Sequence, residues 1–69
     1  MSTESTLQVE GMTCSGCVGS VTRVLQALPG VDSVEVSLER GEARLRYDAA
    51  RVGRDDFRRV VEEAGFTLR

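Results

Sequence analysis

Two cysteines separated by two residues, Cys14 and Cys17, are the side chains of this sequence best suited to chemistry. They lie in the run from Gly11 to Cys17, which reads GMTCSGC, where a strand-like segment gives way to a helix-like one. At the first turn of a helix, unpaired backbone N–H groups and the positive end of the helix dipole favour thiolate. Thiolate is a soft ligand that selects Cu(I) and related ions. The spacing therefore predicts a metal site made of two sulfurs.

The number of available ligands limits which metal this pair could hold. The chain contains no histidine, and Zn(II) prefers four ligands in a tetrahedron. Cu(I) tolerates two-coordinate binding by sulfur, whereas a stable Zn(II) site would need carboxylates, water or a second molecule. On an exposed loop, a low coordination number also lets an incoming thiolate join the metal before a resident thiolate leaves. We therefore predict a Cu(I) carrier without enzymatic activity, with Hg(II) and Zn(II) as alternative cargoes.

A protein of a different class could use the same motif. A thiol-disulfide oxidoreductase of the thioredoxin type also places Cys-x-x-Cys where a strand meets a helix. The chain is short for that fold, and its only proline, Pro29, falls at a predicted helix end and not opposite the cysteines. Metal binding is therefore the preferred interpretation, and the oxidoreductase is the alternative.

The composition disfavours several other functions. Nine basic and eleven acidic residues leave a net charge of −2, whereas binding to phosphate backbones usually needs a basic face. No segment approaches the roughly 20 apolar residues that cross a bilayer, and the first residues lack the pattern of a signal peptide. We therefore expect no nucleic-acid partner, no membrane insertion and a cytoplasmic location, where thiols stay reduced.

Hydrophobic periodicity predicts the elements that must position the cysteines. Alternation around Leu7 and Val9 predicts a first strand, and residues 1–5 are expected to form a flexible N-terminus. The chain then predicts a helix over 15–28, strands over 34–38 and 43–47, a helix over about 55–64 and a short strand over 66–69. The order β-α-β-β-α-β predicts one α+β domain over residues 1–69, with two helices on one face of a four-stranded antiparallel sheet.

The register of the central hairpin follows from its turn. A two-residue turn at Arg40-Gly41 would place Leu38 opposite Ala43 and Glu35 opposite Arg46. This register pairs apolar with apolar residues and opposite charges with each other. It therefore predicts that Leu38 belongs to the buried face of its strand.

The run from Gly11 to Cys17, the order of the elements and the ending Glu62-Glu63-Ala64-Gly65-Phe66 resemble a known family. This is the heavy-metal-associated domain of soluble copper chaperones and of the N-terminal modules of copper-transporting P-type ATPases. The resemblance runs from Leu7 to Leu68. It implies a ferredoxin-like fold, Cu(I) ligation by Cys14 and Cys17, and docking to a similar domain of the ATPase.

The resemblance also implies roles for residues around the sulfurs. Met12 is expected to pack beneath the loop without binding metal, and Thr13 is expected to shape the loop. Gly16, like Gly11, is expected to supply backbone freedom. Phe66 stands where bacterial soluble copper chaperones commonly carry Tyr, and its ring could shield the sulfurs without hydrogen-bonding to them.

The sequence allows two interpretations of the domain, as a free-standing protein or as part of a longer ATPase. Phe at position 66 is frequent in ATPase modules, so an excised N-terminal module is the runner-up to a free-standing chaperone. Because residue 1 is Met and no membrane span follows, the free-standing protein is preferred. The protein is expected to be a monomer without metal, with a Cu-bridged homodimer as an alternative when loaded.

A surface for a partner is predicted beside the motif. The first helix carries Arg23 as its only charge, so docking is expected to use the loop and an uncharged patch. We define the α1 patch by its residues: Ser15, Gly16, Val18, Gly19 and Thr22.

Overall fold

The computed structural model describes residues 2–69, and Met1 lies outside the described residues. The elements are β1 (Ser2–Glu10), α1 (Ser15–Gln26), β2 (Val31–Ser37), β3 (Glu42–Asp48), α2 (Arg54–Glu63) and β4 (Thr67–Leu68). The strands form a four-stranded antiparallel sheet in the order β2-β3-β1-β4. The predicted ferredoxin-like β-α-β-β-α-β arrangement is therefore confirmed.

The core lies between the sheet and the two helices, because each element turns its apolar residues to that side. The helices contribute the residues at helical spacing and the strands contribute alternate residues. Tyr47 packs edge-on against Phe57, with ring centroids 4.8 Å apart, and its hydroxyl shares a 3.0 Å hydrogen bond with Ser5. The buried residues are Leu7, Val9, Val21, Leu25, Leu28, Ala43, Leu45, Tyr47, Val52, Phe57, Val60, Val61 and Leu68.

The expected flexible N-terminus is wrong for residues 2–5, which form the first half of β1. Backbone pairing with β3 begins at Ser2, opposite Asp48, and continues to Gln8, opposite Glu42. Short polar and β-branched side chains tolerate the extended conformation, and the full length of β3 offers a partner. Side chains add to the pairing, since the Ser2 hydroxyl donates to Asp32 at 2.8 Å.

The predicted register of the β2–β3 hairpin is wrong by two residues. Ser37 lies opposite Glu42, so that residues 38–41 form the turn. The Gly41 N–H donates to the Leu38 carbonyl at 3.3 Å, and the Ser37 hydroxyl accepts a 3.2 Å bond from the Arg40 N–H. Gly41 has φ +65°, a conformation that glycine adopts without strain. The longer turn therefore forms because Ser37 and Gly41 stabilise it.

A shift of two residues preserves the alternation of faces. Val34 and Val36 still pack against the core. Leu38, predicted to be buried, lies in the turn with 41% of its surface exposed. The partner of Glu35 changes as well, from the predicted Arg46 to Arg44.

Several element ends also differ from the prediction, and the largest of these shifts is at β2, which begins at Val31 and not at residue 34. α1 ends at Gln26, because the Leu28 N–H bonds the Leu25 carbonyl in a tighter turn and Pro29 has no N–H to continue the helix. β4 is limited to Thr67 and Leu68, which pair with the end of β1.

Replacing Leu45 and Leu38 by Ala should separate the observed register from the predicted one. Leu45 is fully buried, so Leu45→Ala should lower the free energy of unfolding by about 2–5 kcal/mol. Leu38→Ala should cost less than about 1 kcal/mol, because the side chain already meets water. Urea denaturation measures both, and equal losses would contradict the exposed turn.

Candidate metal centre

The loop of residues 11–14 joins β1 to α1 and carries the cysteines to the surface. Cys14 is the N-cap of α1, with extended backbone angles of φ −155° and ψ 166°. Cys17 lies in the first turn, where its N–H bonds the Cys14 carbonyl at 3.0 Å. The start of the helix therefore fixes the spacing of the two side chains.

The two sulfurs face each other at the surface. Their Sγ atoms are 3.1 Å apart, well beyond the roughly 2.05 Å of a disulfide bond. Both cysteines are free, with Cys14 exposed and Cys17 half-buried. Two soft donors thus converge where an incoming group can reach them.

The environment of Cys17 favours its thiolate. A hydrogen bond from the backbone of Thr13 is the main cause that lowers the pKa of the Cys17 thiol, and the Cys14 side chain lowers it further. Partial desolvation opposes these effects without reversing them. The result is a thiol that ionises at lower pH than an ordinary cysteine.

The residues predicted to support the sulfurs lie around the same loop. Met12 is half-buried and packs against the core, while Thr13 is exposed. The expected backbone freedom is present at Gly11, which has φ +98°, and absent at Gly16, which lies within α1 and has no positive φ. Phe66 is half-buried and packs against the core. A Cβ placed on Gly11 would lie 3.5 Å from the Phe66 ring.

The α1 patch beside the sulfurs has the predicted character. Three of its members, Ser15, Gly16 and Gly19, are exposed, and the other two are half-buried. The Thr22 hydroxyl donates to the Val18 carbonyl at 2.8 Å, which leaves that side chain without a free donor. The patch is therefore uncharged and at least partly exposed at each of its residues.

Residues elsewhere do not complete a larger ligand set. Within residues 2–69, no group of three or more Asp, Glu, Cys or His side chains is arranged to hold a metal ion. In the same part of the chain, no helix combines the length and the apolar character needed to cross a membrane.

Comparison with known proteins identifies the family. Residues 6–67 match the heavy-metal-associated domain. The chain belongs to the heavy-metal-associated domain family. The resemblance inferred from residues 11–17 and 62–66 is therefore confirmed.

Relatives within the heavy-metal-associated family fall into two sizes. The chain is 40% identical over 65 residues to the copper chaperone CopZ of Bacillus subtilis, covering 94% of each protein. It is 42% identical over 60 residues to the copper-transporting ATPase HMA5 of Oryza sativa, covering 87% of this chain but 6% of the ATPase. The chain thus spans nearly all of one relative and a small part of the other.

Solved structures agree with the sheet topology. The yeast copper transporter domain Ccc2a, described in apo and Cu(I)-loaded states, superposes with a TM-score of 0.87 at 37% identity. The match covers 94% of this chain and 89% of the yeast domain. The heavy-metal-associated fold therefore extends over almost the whole chain.

Sequence reasoning missed that the residue following the end of α2 lies beside the loop. The Gly65 that ends α2 has φ +96° and places Phe66 beside Gly11. The signal was a glycine directly after the apolar stripe, which is typical of a helix C-cap. Its link to a loop distant in sequence depends on strand pairing, which periodicity alone does not give.

The reactivity of Cys17 towards iodoacetamide should show its lowered pKa. Its alkylation rate should reach half-maximum at a lower pH than that of Cys17 in an unfolded peptide of residues 11–20, because Thr13 and Cys14 stabilise the thiolate in the folded domain. Mass spectrometry after timed quenching measures the rate at each cysteine. A midpoint at or above that of the peptide would contradict the described environment.

Proposed function

We propose that this heavy-metal-associated domain carries one Cu(I) ion between the sulfurs of Cys14 and Cys17. It would deliver the ion to a similar domain of a copper-transporting P-type ATPase. The domain acts as a carrier without catalytic turnover. The cytoplasm is the expected location, since its reducing conditions keep both thiols available.

The observation that supports this proposal is the convergence of two free thiols at the start of α1. With 3.1 Å between the Sγ atoms, a small outward movement of one side chain admits an ion between them. The lowered pKa of Cys17 reduces the competition between protons and metal. The relatives support the choice of ion, because CopZ of Bacillus subtilis is a copper chaperone and yeast Ccc2a is known in a Cu(I)-loaded state.

Exposure of the sulfurs supports transfer over storage. An acceptor thiolate can approach Cys14, which is exposed, and form a third bond to Cu(I). One resident sulfur then leaves and takes up a proton. The second acceptor thiol loses a proton as it binds, and the other resident sulfur leaves as thiolate. The ion passes without being released, and the protons balance.

The same chemistry fits either context in which relatives occur. One relative is a protein of nearly the same length, and another is a long ATPase of which this chain matches 6%. In either context, the two-sulfur site proposed for this domain would hand its ion to a neighbouring domain. The proposal therefore concerns the site and not the length of the natural protein.

A competition titration against a chromophoric Cu(I) chelator tests the proposal. The wild-type domain should bind with a Kd tighter than micromolar. Cys14→Ala and Cys17→Ala should each weaken binding by more than about a hundredfold, because one sulfur cannot chelate the ion. Ser15→Ala is the matched control, since it changes an exposed neighbour that carries no sulfur.

Other outcomes of the titration would overturn the proposal. Affinity weaker than micromolar, or unchanged in both cysteine variants, would exclude Cu(I) binding by this pair. Tighter binding of Zn(II) or Hg(II) than of Cu(I) in parallel titrations would indicate that the domain carries that ion and not Cu(I). Reduction of insulin disulfides with copper chelated would instead favour the oxidoreductase.

Docking to the acceptor is proposed to use the α1 patch. Because the patch is uncharged, the rate of Cu(I) transfer should change by less than about tenfold between low salt and 0.15 M salt. Gly19→Glu should slow transfer, since nothing lies within 4 Å of an added Cβ and the new charge would meet the partner. Arg58→Glu, on the exposed face of α2, is the control.

Stopped-flow measurement with an ATPase metal-binding domain as acceptor gives these rates. A fall of several orders of magnitude with salt, or equal effects of Gly19→Glu and Arg58→Glu, would contradict docking through the patch.

A further inference from the structure

The end of α2 has the geometry of a Schellman motif, in which a left-handed residue closes the helix. The Phe66 N–H bonds the Val61 carbonyl at 3.1 Å, and the Gly65 N–H bonds the Glu62 carbonyl at 3.0 Å. Gly65 supplies the left-handed conformation with φ +96°. The motif reverses the chain and directs Phe66 back towards the sheet.

Phe66, which follows this motif, lies beside the start of the metal loop. An added Cβ on Gly11 would lie 3.5 Å from Phe66 Cδ1 and 3.9 Å from Phe66 Cα. Directly after Phe66, Thr67 pairs with Glu10 and Leu68 pairs with Val9. The same turn therefore sets both the last pairing of β1 and the packing over Gly11.

Gly11 is the point where the chain leaves β1 for the cysteines. Its φ of +98° turns the backbone into Met12 and Thr13. Met12 and Thr13 are the two residues between Gly11 and Cys14. A displacement of Gly11 would therefore reach the sulfurs through two residues.

We infer that Gly65 is a positioning residue for the metal loop, acting through Phe66, which lies beside Gly11. This inference rests on the proposed function only for the identity of the bound ion, Cu(I). A chelate binds more tightly when its donors are held in place before the ion arrives. The C-terminal cap of α2 thus contributes to Cu(I) affinity although no side chain of α2 needs to contact the ion.

The variant Gly65→Ala changes little besides the preferred backbone angle. Nothing lies within 4 Å of a Cβ at this position, so alanine introduces no clash. It disfavours the left-handed conformation, however, and should loosen the turn. We expect Cu(I) affinity to fall about tenfold in the competition titration.

Two further variants separate positioning from loss of stability. Gly30→Ala is the matched control, because Gly30 has nearly the same φ of +93° and lies in the α1–β2 connection. Its Cβ would approach that of Arg51 to 2.9 Å, so it should destabilise the fold at least as much, yet leave the affinity within twofold. Gly65→Asn should restore affinity, since Asn tolerates the left-handed conformation.

Hydrogen exchange on the metal-free protein tests the inference independently of copper. The amides of residues 12–14 should exchange faster in Gly65→Ala than in Gly30→Ala at matched global stability. If the wild type fails to bind Cu(I), the proposed function falls while this comparison still tests the positioning role.

Three results would overturn the inference. In the first, the amides of residues 12–14 exchange at the same rate in Gly65→Ala as in the wild type. In the second, Gly30→Ala loses as much Cu(I) affinity as Gly65→Ala does. In the third, Gly65→Asn binds Cu(I) no more tightly than Gly65→Ala. Should Gly65→Ala not fold, Phe66→Leu removes the ring from Gly11 while keeping the cap, and it must then accelerate exchange in the same residues.

Discussion

The 3.1 Å approach of two sulfurs depends on how residues 11–14 carry the chain from β1 into α1. Gly11 turns the backbone with a positive φ, and Cys14 then takes the extended conformation of an N-cap. One turn of helix places Cys17 beside it. Since Cys14 is the N-cap of α1 and Cys17 lies in its first turn, the start of the helix sets their spacing.

The sheet holds that junction from two sides. On one side the Val9 N–H donates to the Gly41 carbonyl at 2.8 Å, which ties the β2–β3 turn to the end of β1. On the other side β4 pairs with Val9 and Glu10. The last residues of β1 are therefore fixed just before the chain turns towards the cysteines. Strand pairing that stabilises the fold also limits the movement of the site.

The core and the metal site use different residues in different places. Within residues 2–69 no charged residue is buried, and the interior depends mainly on apolar packing, with the hydrogen bond between Tyr47 and Ser5 at its edge. The sulfurs lie at the surface and contribute little to that packing. In our proposal this separation lets the ion arrive and leave without any change in the core, as a carrier requires.

Much of this arrangement could be predicted from the sequence, because periodicity reports which residues face a core. The element order, the helix starting at Ser15 and the paired cysteines all follow from local patterns. Leu38 could not be placed by the same reasoning, since a two-residue shift of register preserves the alternation of faces. The first half of β1 was missed because its polar residues pair through the backbone.

The placement of Phe66 beside Gly11 could not be predicted from periodicity either. It brings together residues far apart in the chain, and it appears only when β4 is placed beside β1. The glycine at position 65 could be recognised as a helix end, but not as a support for the metal loop. Neighbouring residues of this kind can be identified only when the order of the strands in the sheet is known.

X-ray absorption spectroscopy at the copper edge is the most direct test of the central claim, that two sulfurs suffice to hold the ion. For the domain loaded with one equivalent of Cu(I), our account expects a first shell of two sulfur atoms and no nitrogen or oxygen. A first shell with three or more ligands, or one that retains two sulfurs after either cysteine is replaced, would contradict it.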